Sequence, residues 1–160
     1  MVSVGLRPHV LVLLACARPD PAADRAAFVA LDCAVVQDVR LADECRVFAV
    51  DADPSREDTL CPEVRDPKWR DECRFIAVDA RELTGDDAAR ACSAAGRFTA
   101  ACHANAISRE VSDLPPMDEA RLTAEVQRIL ATYRRPPREA ADIVRRRLAT
   151  TSGQEPPPVK

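Results

Sequence analysis

The sequence predicts an all-α fold: short, disulfide-stapled helical hairpins in tandem, about three units, followed by two C-terminal helices. Three observations predict it. Displacing the chain against itself by 28 residues aligns Cys33 with Cys61, Val36 with Val64 and Asp38 with Asp66. The same shift aligns Asp43-Glu44-Cys45-Arg46 with Asp71-Glu72-Cys73-Arg74 and Ala49-Val50-Asp51-Ala52 with Ala77-Val78-Asp79-Ala80. Self-similarity at a fixed period marks a supersecondary unit used more than once, and a degenerate third copy follows at Cys92 and Cys102. Second, a large apolar residue stands four positions before the later cysteine of each copy: Leu41 before Cys45, Trp69 before Cys73, Phe98 before Cys102. That interval places both side chains on one face of a helix. Third, beyond Pro115-Pro116, Leu122, Val126, Ile129, Leu130 and Tyr133 draw an apolar stripe at helical spacing.

Taken in order, the repeat region covers residues 21–112. Its first helix is expected from Pro21 to Cys33. The second starts at Asp38, whose carboxylate can accept the free amides of a first turn. In the second copy a short segment from Ser55 to Cys61 precedes a helix opened by Asp66-Pro67, since proline suits the first helical position, and its apolar face continues through Ile76, Ala77 and Ala80. In the third, Asp86 to Ala94 surrounds Cys92 and Gly96 closes the helix. The C-terminal pair spans 117–149, with a break at Pro136-Pro137 and a last helix from Arg138 to Ala149 that carries Ile143, Val144 and Leu148 on one side. The tail 150–160, with Gly153 and Pro156-Pro157-Pro158, is expected to be disordered.

One cysteine falls on either side of each turn. Local pairing of Cys33 with Cys45, Cys61 with Cys73 and Cys92 with Cys102 would staple the hairpins, although six cysteines admit about 15 connectivities. Buried reduced thiols in a cytosolic helical protein are the other reading. Rings are few, at 4% of residues, so cross-links are expected to supplement a modest core.

The seventh cysteine, Cys16, closes the apolar run Val10-Leu11-Val12-Leu13-Leu14-Ala15. A start bearing Arg7, a short apolar core and a small residue before the cysteine follow the order of an export signal. The run is far shorter than the roughly 20 residues that span a bilayer as a helix, and Arg18-Pro19-Asp20-Pro21 cannot continue it as a regular element. Residues 1–16 resemble the signal of bacterial lipoproteins, in which a leucine three residues before the cysteine precedes cleavage and acylation. The resemblance implies a signal peptide at 1–15, lipidation of Cys16, a tether over 16–20, and a location in the cell envelope facing the periplasm or exterior. It covers only those first residues. The remainder is similar in style to disulfide-stapled helical-repeat and coiled-coil-helix proteins, of which only Cys92 and Cys102 keep the latter's spacing.

Familiar chemistries leave no mark. There is no Cys-x-x-Cys pair, no His-Glu-x-x-His, no Gly-x-Ser-x-Gly and no phosphate-binding glycine loop. No catalytic residue, metal site or cofactor is therefore predicted. His103, beside Cys102, is read as a structural or surface histidine, a ligand only if the thiols are reduced. The pairs Asp43-Glu44, Asp71-Glu72 and Asp86-Asp87 lie near Arg46, Arg70, Arg74 and Arg90 and read as solvated helix faces carrying ion pairs. A net charge of −3 gives no reason to expect nucleic acid. Arg134-Arg135 and Arg145-Arg146-Arg147 make the C-terminal region basic, a solvated face or one open to anionic lipid or acidic protein. The expected function is a non-enzymatic lipoprotein whose partners are the membrane, through its anchor, and another protein. A periplasmic redox or metal-handling protein and a cytosolic scaffold stay open as alternatives.

Overall fold

The computed structural model describes residues 20–151. The signal segment 1–15, Cys16 and the tether up to Pro19, and the tail from Ser152 onward lie outside the described residues. Eight α-helices run through them: α1 Pro21–Val29, α2 Val39–Ala52, α3 Glu57–Leu60, α4 Pro67–Ala80, α5 Gly85–Cys92, α6 Thr99–Asp113, α7 Glu119–Thr132 and α8 Ala140–Thr151. No strand occurs among the described residues. Short 3-10 turns at Pro54–Arg56, Cys61–Glu63, Gly96–Phe98 and Pro137–Glu139 connect them.

Asp38 and Asp66 cap their helices as the sequence predicts, and Asp20 and Asp118 add two further aspartate caps. Asp38 accepts the Leu41 amide at 2.8 Å, and Asp66 accepts those of Lys68 and Trp69 at 2.7 and 3.3 Å with Pro67 in the first turn. Asp20 and Asp118 do the same for α1 and α7. Each carboxylate both satisfies an orphan amide and sits at the positive end of the helix dipole.

The helix ends differ from expectation. The first helix stops at Val29, four residues short of Cys33, because Leu31 turns left-handed at φ 54°. There the Asp32 amide donates to the Ala27 carbonyl and the Leu31 amide to that of Phe28, the paired bonds of a Schellman motif. The same two bonds recur at Glu82 after α4 and at Arg134 after α7, both with φ near +50°. Glycine usually fills this position, so none of the three is marked by composition. Conversely, Gly96 does not close a helix: α5 ends at Cys92 and Gly96 opens the following 3-10 turn. The last helix also runs past Ala149 to Thr151, so the first two residues assigned to the tail are helical.

Packing proceeds along the chain. α2 lies against α4, α4 against α5 and α6, and α7 bridges α6 to α8. The first two hairpins share small cores built around their cystines: Cys33, Val36, Ala42, Cys45 and Ala49 in one; Val47, Val50, Cys61, Val64, Cys73 and Ala77 in the next. Val36 and Val64, one period apart, are buried alike. The largest core is C-terminal, where Leu122, Val126, Ile129, Leu130 and Tyr133 of the predicted stripe meet Ala106, Ile107 and Val111 of α6 and Val144 of α8. The C-terminal pair thus finishes the array by covering its third unit.

Candidate functional site

The six predicted cysteines pair locally. Cys33–Cys45, Cys61–Cys73 and Cys92–Cys102 have Cα separations of 5.5, 5.7 and 5.5 Å, within the range a disulfide spans. Each joins a residue at the end of a short segment to the long helix that follows, so one bond sets the angle of a hairpin. All six sulfur-bearing residues are buried, none more than 4% exposed. Three cystines at three separate places do not form one centre, and an incoming thiolate has no open line to their sulfurs. They hint at an oxidising, exported compartment.

A second set of contacts carries the 28-residue period, and in it Asp43, expected on a solvated face, is instead buried, while its expected ion pair with Arg46 is present. Asp43 is 3% exposed. Its two oxygens accept the amides of Arg65 and Asp66 at 3.0 and 2.9 Å, and Arg46 lies at 3.7 Å. Asp24, also buried, grips the amides of Gln37 and Asp38 at 2.8 and 2.9 Å. The amides held are one period apart, and in each case the second belongs to the capping aspartate of the next long helix. Asp71, the repeat equivalent of Asp43, accepts the Arg97 amide at 3.2 Å, and a Cβ added to Gly96 would overlap its carboxylate. One helix therefore fixes the start of the next through a carboxylate, and a pair of convergent amides repays the cost of burying the charge. Asp86-Asp87 does behave as a solvated face: Asp87 pairs with Arg90, both side chains 75% exposed.

His103 belongs to a third cluster, where α5, α6 and α7 meet. Its ring packs edge-to-face on Tyr133 with centroids 5.3 Å apart, and its buried Nε2 has no hydrogen-bond partner among the described residues. The Tyr133 hydroxyl donates to Glu110 in a short hydrogen bond, and the same carboxylate oxygen accepts the Gly85 amide at 2.7 Å. Burial, then the Glu110 carboxylate, push the Tyr133 phenol well above its ordinary range. Beside it Arg109 donates to the Leu83 carbonyl and to Asp79, at 2.9 and 2.8 Å, closing the end of α4. Cys102 is tied up in its disulfide, so its sulfur is no thiolate partner for His103. No group of three or more His, Cys, Asp or Glu among the described residues could hold a metal ion. Sequence reasoning finds Tyr133 only as the end of the apolar stripe and does not find Glu110, because the bond between them exists only once the helices cross.

Two grooves open on the surface. One of about 570 Å³ lies between α1 and α2, lined by Pro21, Phe28, Leu41, Asp38 and Glu44 among others. The other, about 450 Å³, lies between α6 and α8, with Ile107, Val111 and Ile143 in its wall and Arg135 and Arg146 beside them. The predicted basic cluster is partly absorbed into the fold: Arg147 donates to the carbonyls of Ser112 and Leu114, Arg135 pairs with Glu139 and Arg145 with Asp142. No described helix is long and apolar enough to cross a membrane. No family model matches the chain, and comparison with curated proteins and with solved structures likewise finds no match.

Proposed function

We propose that the chain is a non-enzymatic exported lipoprotein, anchored through acylated Cys16, that acts by protein contact as an interaction or structural module of the cell envelope. The observation that carries this reading is the set of three buried cystines in a tandem helical array. Disulfides of this kind persist in oxidising compartments, and stacked hairpins present an extended surface of the sort used for binding. The sequence around Leu13-Leu14-Ala15-Cys16 supports the anchor. With the sulfurs buried, thiol exchange or metal capture by these cysteines has no accessible group to start from, which favours a structural role for them over redox or metal handling.

Metabolic labelling with a radioactive fatty acid tests the anchor. Label is expected in the wild-type protein and absent from Cys16→Ser. Equal labelling of both, or labelling of neither, overturns the lipoprotein reading. Alkylation of the purified protein in denaturant, without reductant, tests the compartment, because six reactive thiols exposed by unfolding would return the chain to the cytosol.

A further inference from the structure

We infer that the two ends of the array bind each other between copies of this chain, head to tail. The proposal deepens the interaction-module reading by naming its partner, and rests on that reading only for its setting in the envelope.

Among the described residues, the first hairpin leaves apolar side chains uncovered. Among the described residues the exposed large apolar side chains are Val29, Val35, Val39 and Phe48, at 79, 57, 48 and 49% exposure, and all four belong to this one unit. Phe48 packs edge-to-face on Phe28, which lines the groove between α1 and α2, so groove and exposed ring form one apolar surface. A stacked array normally finishes with a polar outer face, because an apolar one is what each unit offers its neighbour. Here the outer unit instead presents apolar side chains, and at the positions of Val29 and Val35 the next unit has Glu57 and Glu63.

Charge says what covers it. Residues 20–53 carry eight carboxylates against three arginines, whereas residues 134–151 carry six arginines against two carboxylates. The Glu44 carboxylate lines the first groove and makes no side-chain hydrogen bond or ion pair within the described residues; Arg146 stands beside the α6–α8 groove, its guanidinium likewise unpaired within them. The basic end also offers apolar wall, in Ile107, Val111 and Ile143. Each end thus supplies the charge and the apolar surface that the other lacks. Two different patches meeting in this way make a heterologous contact, which propagates instead of closing on a dimer. Molecules tethered side by side on a membrane need only weak affinity for it, since the tether raises their effective concentration.

The test uses the full chain carrying Cys16→Ser, oxidised, in sedimentation equilibrium over a range of concentrations. Average mass should rise beyond that of a dimer at low salt and fall back toward the monomer near ~1 M salt, where screening acts within about 3 Å. Phe48→Glu and Arg146→Glu, both at the surface, should each weaken association about tenfold or more while leaving helical circular dichroism unchanged. Their 1:1 mixture should form a heterodimer that grows no further, because one variant retains the basic end and the other the apolar acidic end. If Phe48→Glu does not fold, Val39→Glu replaces it. A wild type that stays monomeric throughout overturns the proposal, as does a closed dimer whose two variants fail to complement in the mixture. Sedimentation of a monomeric wild type only with phosphatidylglycerol vesicles would overturn it in favour of lipid. Loss of fatty-acid labelling leaves these outcomes untouched, so the two readings fail separately.

Discussion

Replacing Asp43 with asparagine preserves the shape of the side chain and changes what faces two backbone amides. In the native protein both carboxylate oxygens accept, from Arg65 at 3.0 Å and Asp66 at 2.9 Å, at a site only 3% exposed. Asparagine keeps one acceptor and turns an NH2 group toward the other amide. One hydrogen bond to a charged group, worth about 1.5–3 kcal/mol, is lost; the second loses its charge assistance, and an amide is left opposed to a donor. The combined cost is roughly 3 kcal/mol, which for a domain of this size lowers Tm by about 10 °C. Glu44→Gln, one residue away with no such partners, should stay within about 0.5 kcal/mol of the wild type. Thermal and urea unfolding of the oxidised proteins, followed by helical circular dichroism, measures both. Asp24→Asn should resemble Asp43→Asn, whereas Asp71→Asn should cost less, since one amide at 3.2 Å depends on it and its side chain is 22% exposed. If Asp43→Asn and Glu44→Gln unfold together, the carboxylate is not what holds the following helix, and the account of the period given above is wrong.

Three further outcomes follow from the same structure. Removing one staple, as in the double variant Cys61→Ala and Cys73→Ala, should cost about 3 kcal/mol from the chain entropy released by a closed loop of separation 12, read as a lower urea midpoint. Glu82→Gly should raise stability by about 1 kcal/mol, because Glu82 holds φ 52° and its Cβ strains the left-handed turn after α4; an unchanged or lower Tm would contradict this. Tyr133 is the one tyrosine in the chain, so phenolate absorbance reports it directly. Its folded-state pKa is raised, so the stabilisation is complete below the unfolded value near pH ~10 and declines as pH climbs beyond it. Phenolate should therefore appear only with loss of helix, and Tyr133→Phe should remove that part of the alkaline decline. A phenol that titrates near pH ~10 in the folded protein would contradict its burial against Glu110.

Much of the architecture is legible in the chain because its determinants are local. Helical spacing, capping by Asp38 and Asp66, and the proline breaks all act within a turn or two of themselves. The cystine partners are 10 or 12 residues apart, close enough for a repeat to suggest the pairing. Helix ends were less readable. Leu31, Glu82 and Arg134 adopt a conformation that glycine would have advertised, and what holds them there is a pair of carbonyls at the end of a helix, not their own preference. Gly96 was misplaced for the converse reason: its requirement comes from the Asp71 carboxylate of another helix.

By itself the sequence determined the all-helical class and the repeated unit and suggested its staples, since periodicity, caps and short loops depend on neighbours along the chain. Tertiary structure alone decided that Asp24 and Asp43 are buried anchors while Asp87 is solvated, that Glu110 meets Tyr133 across helices, and that the outer hairpin leaves Val29, Val35, Val39 and Phe48 in the open. A carboxylate's role depends on which amides, charges or water face it. Those partners lie 13 to 25 residues away for Asp24, Asp43 and Glu110, and only the packing of one helix on the next brings them within reach.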